Sequence, residues 1–257
     1  MNNKTAKQIL TSYRIKLALL CCACVIAVGA LAILAQYSFI LGIAGIIVLG
    51  ANVTKPFRKL AESELESIIF DELDPEKFNE LIELGAFKRS KRLQVLCAVS
   101  LGEHEKALSL MESEKTGKEH PVEKCNNVYR KGYIHFERGE FDKLPAIVKE
   151  YNELKKNHPQ FVVALNHFTV FDKFDAFADE DYEYVVDVCD IDLKEINPKA
   201  QNHKLTRINV GFYRAVSLYK MGKLDEAKLG FEEIIKFAPK MYKAKLSKEY
   251  IELIEKV

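Results

Sequence analysis

The sequence predicts an all-α protein: an N-terminal two-span transmembrane hairpin followed by an α-solenoid of helix–turn–helix pairs. Three observations carry this expectation. No charged residue occurs from Leu17 to Thr54. All 37 acidic residues lie at or after Glu62. Beyond Lys55, apolar residues recur at three- and four-residue spacing, as in Leu108, Leu110, Met111 and in Phe231, Ile234, Ile235, without the sustained alternation of a strand.

Residues 1–16 read as a basic cytoplasmic N-terminus carrying Lys4, Lys7, Arg14 and Lys16. The uncharged block 17–54 is too long for one crossing. As a single helix it would measure about 57 Å, against a hydrocarbon core of about 30 Å. Gln36, Tyr37 and Ser38 make the only polar break, so spans are expected at 17–35 and 39–53. Lys55, Arg58 and Lys59 flank the far end, and the turn carries no charge. The positive-inside rule then puts both termini in the cytoplasm. The short, simple anchor points to a bacterial plasma membrane. A cleaved signal peptide ending near Ala30-Leu31-Ala32 is the rival reading. The first apolar run exceeds the usual h-region of about 7–15 residues, and a second run follows at once. Gly29, Gly42, Gly45 and Gly50 would allow close helix approach within the hairpin, or in a homo-oligomer made through it.

The charge balance is uneven. Residues 1–59 carry +7 and the remainder −6. Neither part resembles the basic domain of a nucleic-acid binder. The six cysteines show no zinc or disulfide spacing: Cys21, Cys22 and Cys24 fall in the first span, and Cys97, Cys125 and Cys189 are solitary. They are expected to be reduced packing residues.

Residues 57–257 form the helical domain. Its first helix is expected over Pro56–Leu73, and its second is started by Asp74 as cap and Pro75 in the first turn. The clearest repeat is "GFYRAVSLYKMGKLDEAKLGFEEIIKFAP", Gly211 to Pro239. Ala215 and Ala227 are twelve apart, Gly222 lies between them, Phe231 follows Ala227 by four, and Pro239 follows Phe231 by eight. The same frame places Gly132 and Leu144 around Gly139, and Val95 and Ala107 around Gly102, with Pro121 and Pro159 near the ends of second helices. A further pair, turning at Asp179, fits within His158–Asp190. The loop Ile191–Lys204 is the expected hinge. Met241–Val257 is expected to be a terminal cap, its outer side kept wet by Lys240, Lys243, Lys245 and Lys248.

This spacing resembles the tetratricopeptide repeat (TPR), a 34-residue helix–turn–helix unit. Gly211, Arg214 and Leu218 stand where that family usually has Trp, Leu and Tyr. The resemblance implies that Ala215 and Ala227 face each other where two helices cross. Gly222 would adopt the positive φ that ends the first helix.

No P-loop, GxSxG, GxGxxG or HExxH motif is present. The expectation is therefore a non-enzyme without cofactor or metal. His104 and His120 are expected to be exposed, and His135 and His167 to be core or groove residues. Residues 172–195 hold ten acids against Lys173 and Lys194, a local charge of −8. A solvated face is the plain reading, and an acidic lip for a basic partner is the functional one. Beside it run Phe161, Phe168, Phe171, Phe174, Phe177, Tyr182 and Tyr184, most of them expected in the inter-helix core. The candidate partner-binding residues are Phe168, Phe171, Asp179, Asp181, Glu183, Tyr213 and Arg214. They would form a groove for a protein segment with basic and apolar residues. Lys88, Arg89, Lys91 and Arg92 form a basic cluster suited to anionic headgroups or an ordinary helix face. The function expected is a membrane-anchored scaffold or adaptor. The alternatives are a peptide-responsive regulator and a non-catalytic accessory subunit of a membrane enzyme.

Overall fold

A computed structural model describes residues 5–35, 55–86, 90–112, 121–159 and 168–256. The expected turn at Gln36–Ser38, the second span at 39–53 and its glycines lie outside the described residues, as do Lys88, Arg89, His120, Phe161 and His167. Among the described residues there are twelve α-helices and no strand.

The first helix, α1, runs from Ala6 to Ala35 and so absorbs most of the basic N-terminus as well as the first apolar run. Thr5 and Gln8 cap it reciprocally, each side chain accepting from the other's backbone N–H. It is the one helix among the described residues that is long and apolar enough to cross a membrane, with a mean hydropathy of 1.9 over Ala6–Ala30. Two helices pack against its N-terminal end: α2 (Lys55–Phe70) and α3 (Pro75–Glu83). Asp74 caps α3 as expected, its Oδ1 accepting from Lys77 N at 3.1 Å, with Pro75 at the first position.

The remaining helices follow as α4 (Lys91–Leu101), α5 (His104–Glu112), α6 (Pro121–Glu137), α7 (Leu144–Asn157), α8 (Phe168–Ala178), α9 (Tyr182–Glu195), α10 (His203–Lys220), α11 (Leu224–Phe237) and α12 (Tyr242–Ile254). A 3-10 turn, Phe141–Lys143, leads into α7. From α2 onward, each helix packs against the next. Five of the ends close alike: the residue in the left-handed conformation donates to the carbonyl three back, and the next residue to the carbonyl five back. These residues are Gly85, Gly102, Gly139, Glu180 and Gly222. The three glycines of the sequence frame therefore all adopt the conformation their position demands, with φ of 77°, 69° and 76°. The turn expected at Asp179 centres one residue later, on Glu180 at φ 60°.

Several expectations need correction. Pro121 does not end a helix; it is the first residue of α6, where its missing N–H costs nothing. The expected hinge shrinks to residues 196–202, because α9 continues through Glu195. That loop is tied to α2 on one side: Gln201 Nε2 donates to Glu66 at 3.0 Å, and Lys204 Nζ, at the start of α10, donates to Asp71 O at 2.9 Å. Ala215 and Ala227 are both buried, and the close approach at Ala215 is made by Gly230, where a Cβ would lie 3.1 Å from that of Ala215.

The largest departure is at the C-terminus. Helix α12 does not end the array freely; it packs against α4, while α10 touches α2, so the helical array curls back on itself. Lys243 is 3% exposed and pairs with Glu137 of α6. Glu137 also takes His104 Nε2 at 2.8 Å, so His104 is buried rather than exposed. Lys240 pairs with Asp74. Tyr242 lies over Gly102 and meets the His104 ring edge-on at 5.2 Å. Lys240, Lys245 and Lys248 are exposed as expected, and Lys243 alone of the four is buried in the closure.

Candidate binding surfaces

The aromatic series beside the acidic run is mostly core. Phe171 stacks on Tyr151 at 3.6 Å between ring centres, and Tyr213 meets Phe136 at 4.4 Å. Phe171 and Tyr213 are 2% and 3% exposed, so neither is available as a groove anchor. The physical reason is the closeness of α6 to its neighbours: a Cβ on Gly132 would come within 2.5 Å of Phe174 and 3.0 Å of Ile147, so α8 and α7 lay their side chains directly on its backbone. Phe168 is the first residue of α8, and its side chain is outside the described set. Tyr184 stays exposed.

The acids divide into two groups. Asp192 pairs with Lys173, which is itself buried, and Asp190 pairs with Arg214 at 2.6 Å. Arg214 thereby lines a small cleft of about 190 Å³ between α9, α10 and α11. Asp181 caps α9, its Oδ1 accepting from Tyr184 N at 3.2 Å. These three acids are explained by folding. Asp175, Asp179, Glu180, Glu183 and Asp187 are exposed and have no ion pair among the described residues. Asp175 and Asp179 lie at the C-terminal end of α8, where the helix dipole disfavours an anion, so helix stability does not account for them. Glu183 lies in the first turn of α9, where the helix dipole favours an anion, and Asp187, four residues on, repels it mildly.

A surface that sequence reasoning missed is the cavity inside the curl of the array, about 330 Å³ in volume. Its walls come from α2, α4, α6, α10 and the start of α12. Arg92, Arg130 and Lys243 contribute cationic groups, and no carboxylate lines it. Glu123 lies behind Arg130 at 3.0 Å, and Glu137 behind Lys243. Arg92 is exposed and has no ion pair among the described residues. Leu96, Val99, Leu205 and Met241 give an apolar side, and Asn126, Asn202 and Asn209 a polar one. The Tyr133 hydroxyl and Asn209 Oδ1 are buried without a hydrogen-bond partner. Burial pushes Tyr129 up to about 12 and Tyr133 well above its ordinary value, so both remain neutral at pH 7.

Among the described residues no group of His, Cys, Asp and Glu is placed to hold a metal ion. Cys97, Cys125 and Cys189 are buried, and desolvation raises their thiols to about 12, 11 and 12. They are protonated at neutral pH and poor nucleophiles.

Among the described residues the fold is all-helical, with one N-terminal helix long and apolar enough to cross a membrane. The chain matches no protein-family model, no curated protein and no solved structure.

Proposed function

We propose that this is a membrane-tethered recruitment protein, in which a two-pass anchor holds a TPR-like helical-repeat domain on the cytoplasmic side of a plasma membrane, where it captures a segment of another protein. The observation that carries the reading is the way α1 is divided. Its foot belongs to the helical domain: Ala6 and Leu10 are 1% and 5% exposed, Arg14 donates to Leu84 O at 3.1 Å, and Lys16 pairs with Glu64 at 2.6 Å. Beyond the foot the apolar side chains are uncovered, with Val25 and Ile26 71% and 73% exposed. An uncovered apolar surface of this length needs a hydrocarbon partner. If α1 crosses, the chain must come back, because Lys55 begins the helix that packs against that same foot. The expected second span, 39–53, would supply the return: as a helix it would measure about 22 Å, short of the hydrocarbon thickness of about 30 Å and so at the low end for a crossing.

The capture surface in this reading is the unpaired acidic face of α8 and α9, presented to a basic segment. Aromatic anchoring by Phe171 and Tyr213 is abandoned, since both are core. Charges of this kind steer encounter and set register more than they add affinity. Tethering raises the effective concentration of membrane neighbours, so a weak contact is enough. The cavity favours a second reading, a regulator whose array responds to a bound ligand.

The test is affinity capture from native membranes with the detergent-solubilised full chain and with its Asp179→Lys, Glu183→Lys, Asp187→Lys triple variant. Asp181 is left in place because it caps α9. The variant is expected to lose the proteins captured by the parent while keeping its helical circular dichroism, and high salt should weaken capture by the parent. The same proteins retained by the folded variant and at high salt would show the acids to be an ordinary solvated face.

A further inference from the structure

The cavity within the curl contains features that neither folding nor recruitment through α8 and α9 explains. Tyr133 is a core residue, yet its hydroxyl has no partner, a state that burial penalises. Helix α10 opens onto the cavity through Asn202, Leu205 and Thr206, with no side-chain cap and no acid in its first turn. A helix N-terminus left in this state presents partial positive charge and backbone donors. Arg92 adds a full charge without a compensating carboxylate among the described residues, whereas Arg130 and Lys243 are already balanced by Glu123 and Glu137. Leu96 and Val99, which follow Arg92 along α4, give with Met241 an apolar side. The volume is at the lower end of the range of about 300–1,000 Å³ usual for small-molecule sites.

We infer that this cavity is a binding site for a small organic anion, a carboxylate or phosphate monoester carried on a short apolar arm. The anionic head lies at the α10 N-terminus within reach of Arg92, the Tyr133 hydroxyl donates to it or to its first polar substituent, and the arm packs on Leu96, Val99 and Met241. A cation is disfavoured there by Arg92 and by the helix terminus. A neutral apolar molecule would leave the Tyr133 hydroxyl unsatisfied. Because helices from both ends of the domain line the cavity, occupancy would also brace the closure of α12 on α4.

Hexyl phosphate, hexanoate and hexylammonium serve as defined probes, titrated calorimetrically into the full chain in an uncharged detergent. Saturable binding is expected for at least one of the two anions and none for hexylammonium. Arg92→Gln, at an exposed position that folding does not need, should weaken anion binding about tenfold, and Tyr133→Phe should do so to a similar degree, each removing one hydrogen bond to a charged group. The inference is overturned if neither anion binds saturably, if hexylammonium binds as well as they do, or if Arg92→Gln leaves the anion affinity unchanged. The acidic face plays no part in this titration, so its outcome is independent of the recruitment test.

Discussion

Glu137→Leu is expected to destabilise the protein by about 3–5 kcal/mol, the usual cost of removing one partner from a buried ion pair. Glu137 joins three separate helices: it lies at the end of α6, accepts from His104 on α5, and compensates Lys243 on α12. Removing it leaves an ammonium group in a site whose burial already lowers its proton affinity, and the attraction of Glu137 is what opposes that lowering. Lys243 also sits 4.2 Å from the Tyr133 ring centre, a contact too weak to replace a carboxylate. The loss should shrink as the pH rises towards the ordinary lysine value of about 10.5. In that window the unfolded chain keeps the Lys243 proton while the folded variant has given it up, so stability rises with pH. The Glu137→Leu, Lys243→Met double variant should regain part of the stability, since an apolar pair carries no desolvation cost, while buried His104 still lacks its acceptor. Urea unfolding of the full chain in detergent, followed by circular dichroism at two pH values, measures all three effects. A Glu137→Leu variant as stable as the parent would mean that Lys243 is not buried against α6.

Gly102→Ala is the second large effect expected, and Gly222→Ala is its internal control. Both glycines have nearly the same φ, 77° and 76°, so alanine incurs at each a similar backbone penalty of about 1–2 kcal/mol. Their surroundings differ. A Cβ on Gly222 meets nothing, whereas a Cβ on Gly102 overlaps the ring of Tyr242. Displacing that ring from its place against His104 should add about 1–3 kcal/mol, typical of overpacking. In the Tyr242→Ala background the extra cost should vanish, giving a coupling between the two positions. Equal destabilisation by Gly102→Ala and Gly222→Ala, read from thermal unfolding, would mean that α12 does not close on the turn between α4 and α5.

These two sites show what a sequence reveals and what it conceals. The turns at Gly102, Gly139 and Gly222 were legible because a left-handed residue at a helix end selects glycine, and that demand is local. The cap and first position of α3 were legible for the same reason. Glu180 occupies an equivalent turn without being glycine, so its position was off by one residue. The closure of α12 on α4 was not legible at all. Lys243 has the periodicity of a solvated helix face, and only the distant Glu137 makes its burial possible. His104 was misplaced by the same missing partner. The acidic run was visible as composition, but its division into paired, capping and unpaired acids depends on Lys173 and Arg214, whose partners are fixed by how α8, α9 and α10 cross. The aromatic series could not disclose which face it presents, because Gly132 looks like a turn or spacing residue until Phe174 is seen lying on it. The cavity was hidden for a simpler cause: its walls run from Phe70 to Lys243, and no short segment contains it.

The central claim is that the foot of α1 and the helical domain share one side of a membrane. It is tested most directly by placing single cysteines at Lys7 and Lys256, both exposed, in the full chain within native membranes. Background labelling should be low, because Cys97, Cys125 and Cys189 are buried thiols and Cys21, Cys22 and Cys24 lie in the apolar stretch of α1. An impermeant maleimide applied to intact cells is expected to label neither new cysteine, and after permeabilisation it should label both. Labelling of the Lys256→Cys variant in intact cells, with the Lys7→Cys variant still protected, would put the two on opposite sides and contradict the docked foot, the two-pass anchor and the cytoplasmic recruitment surface together.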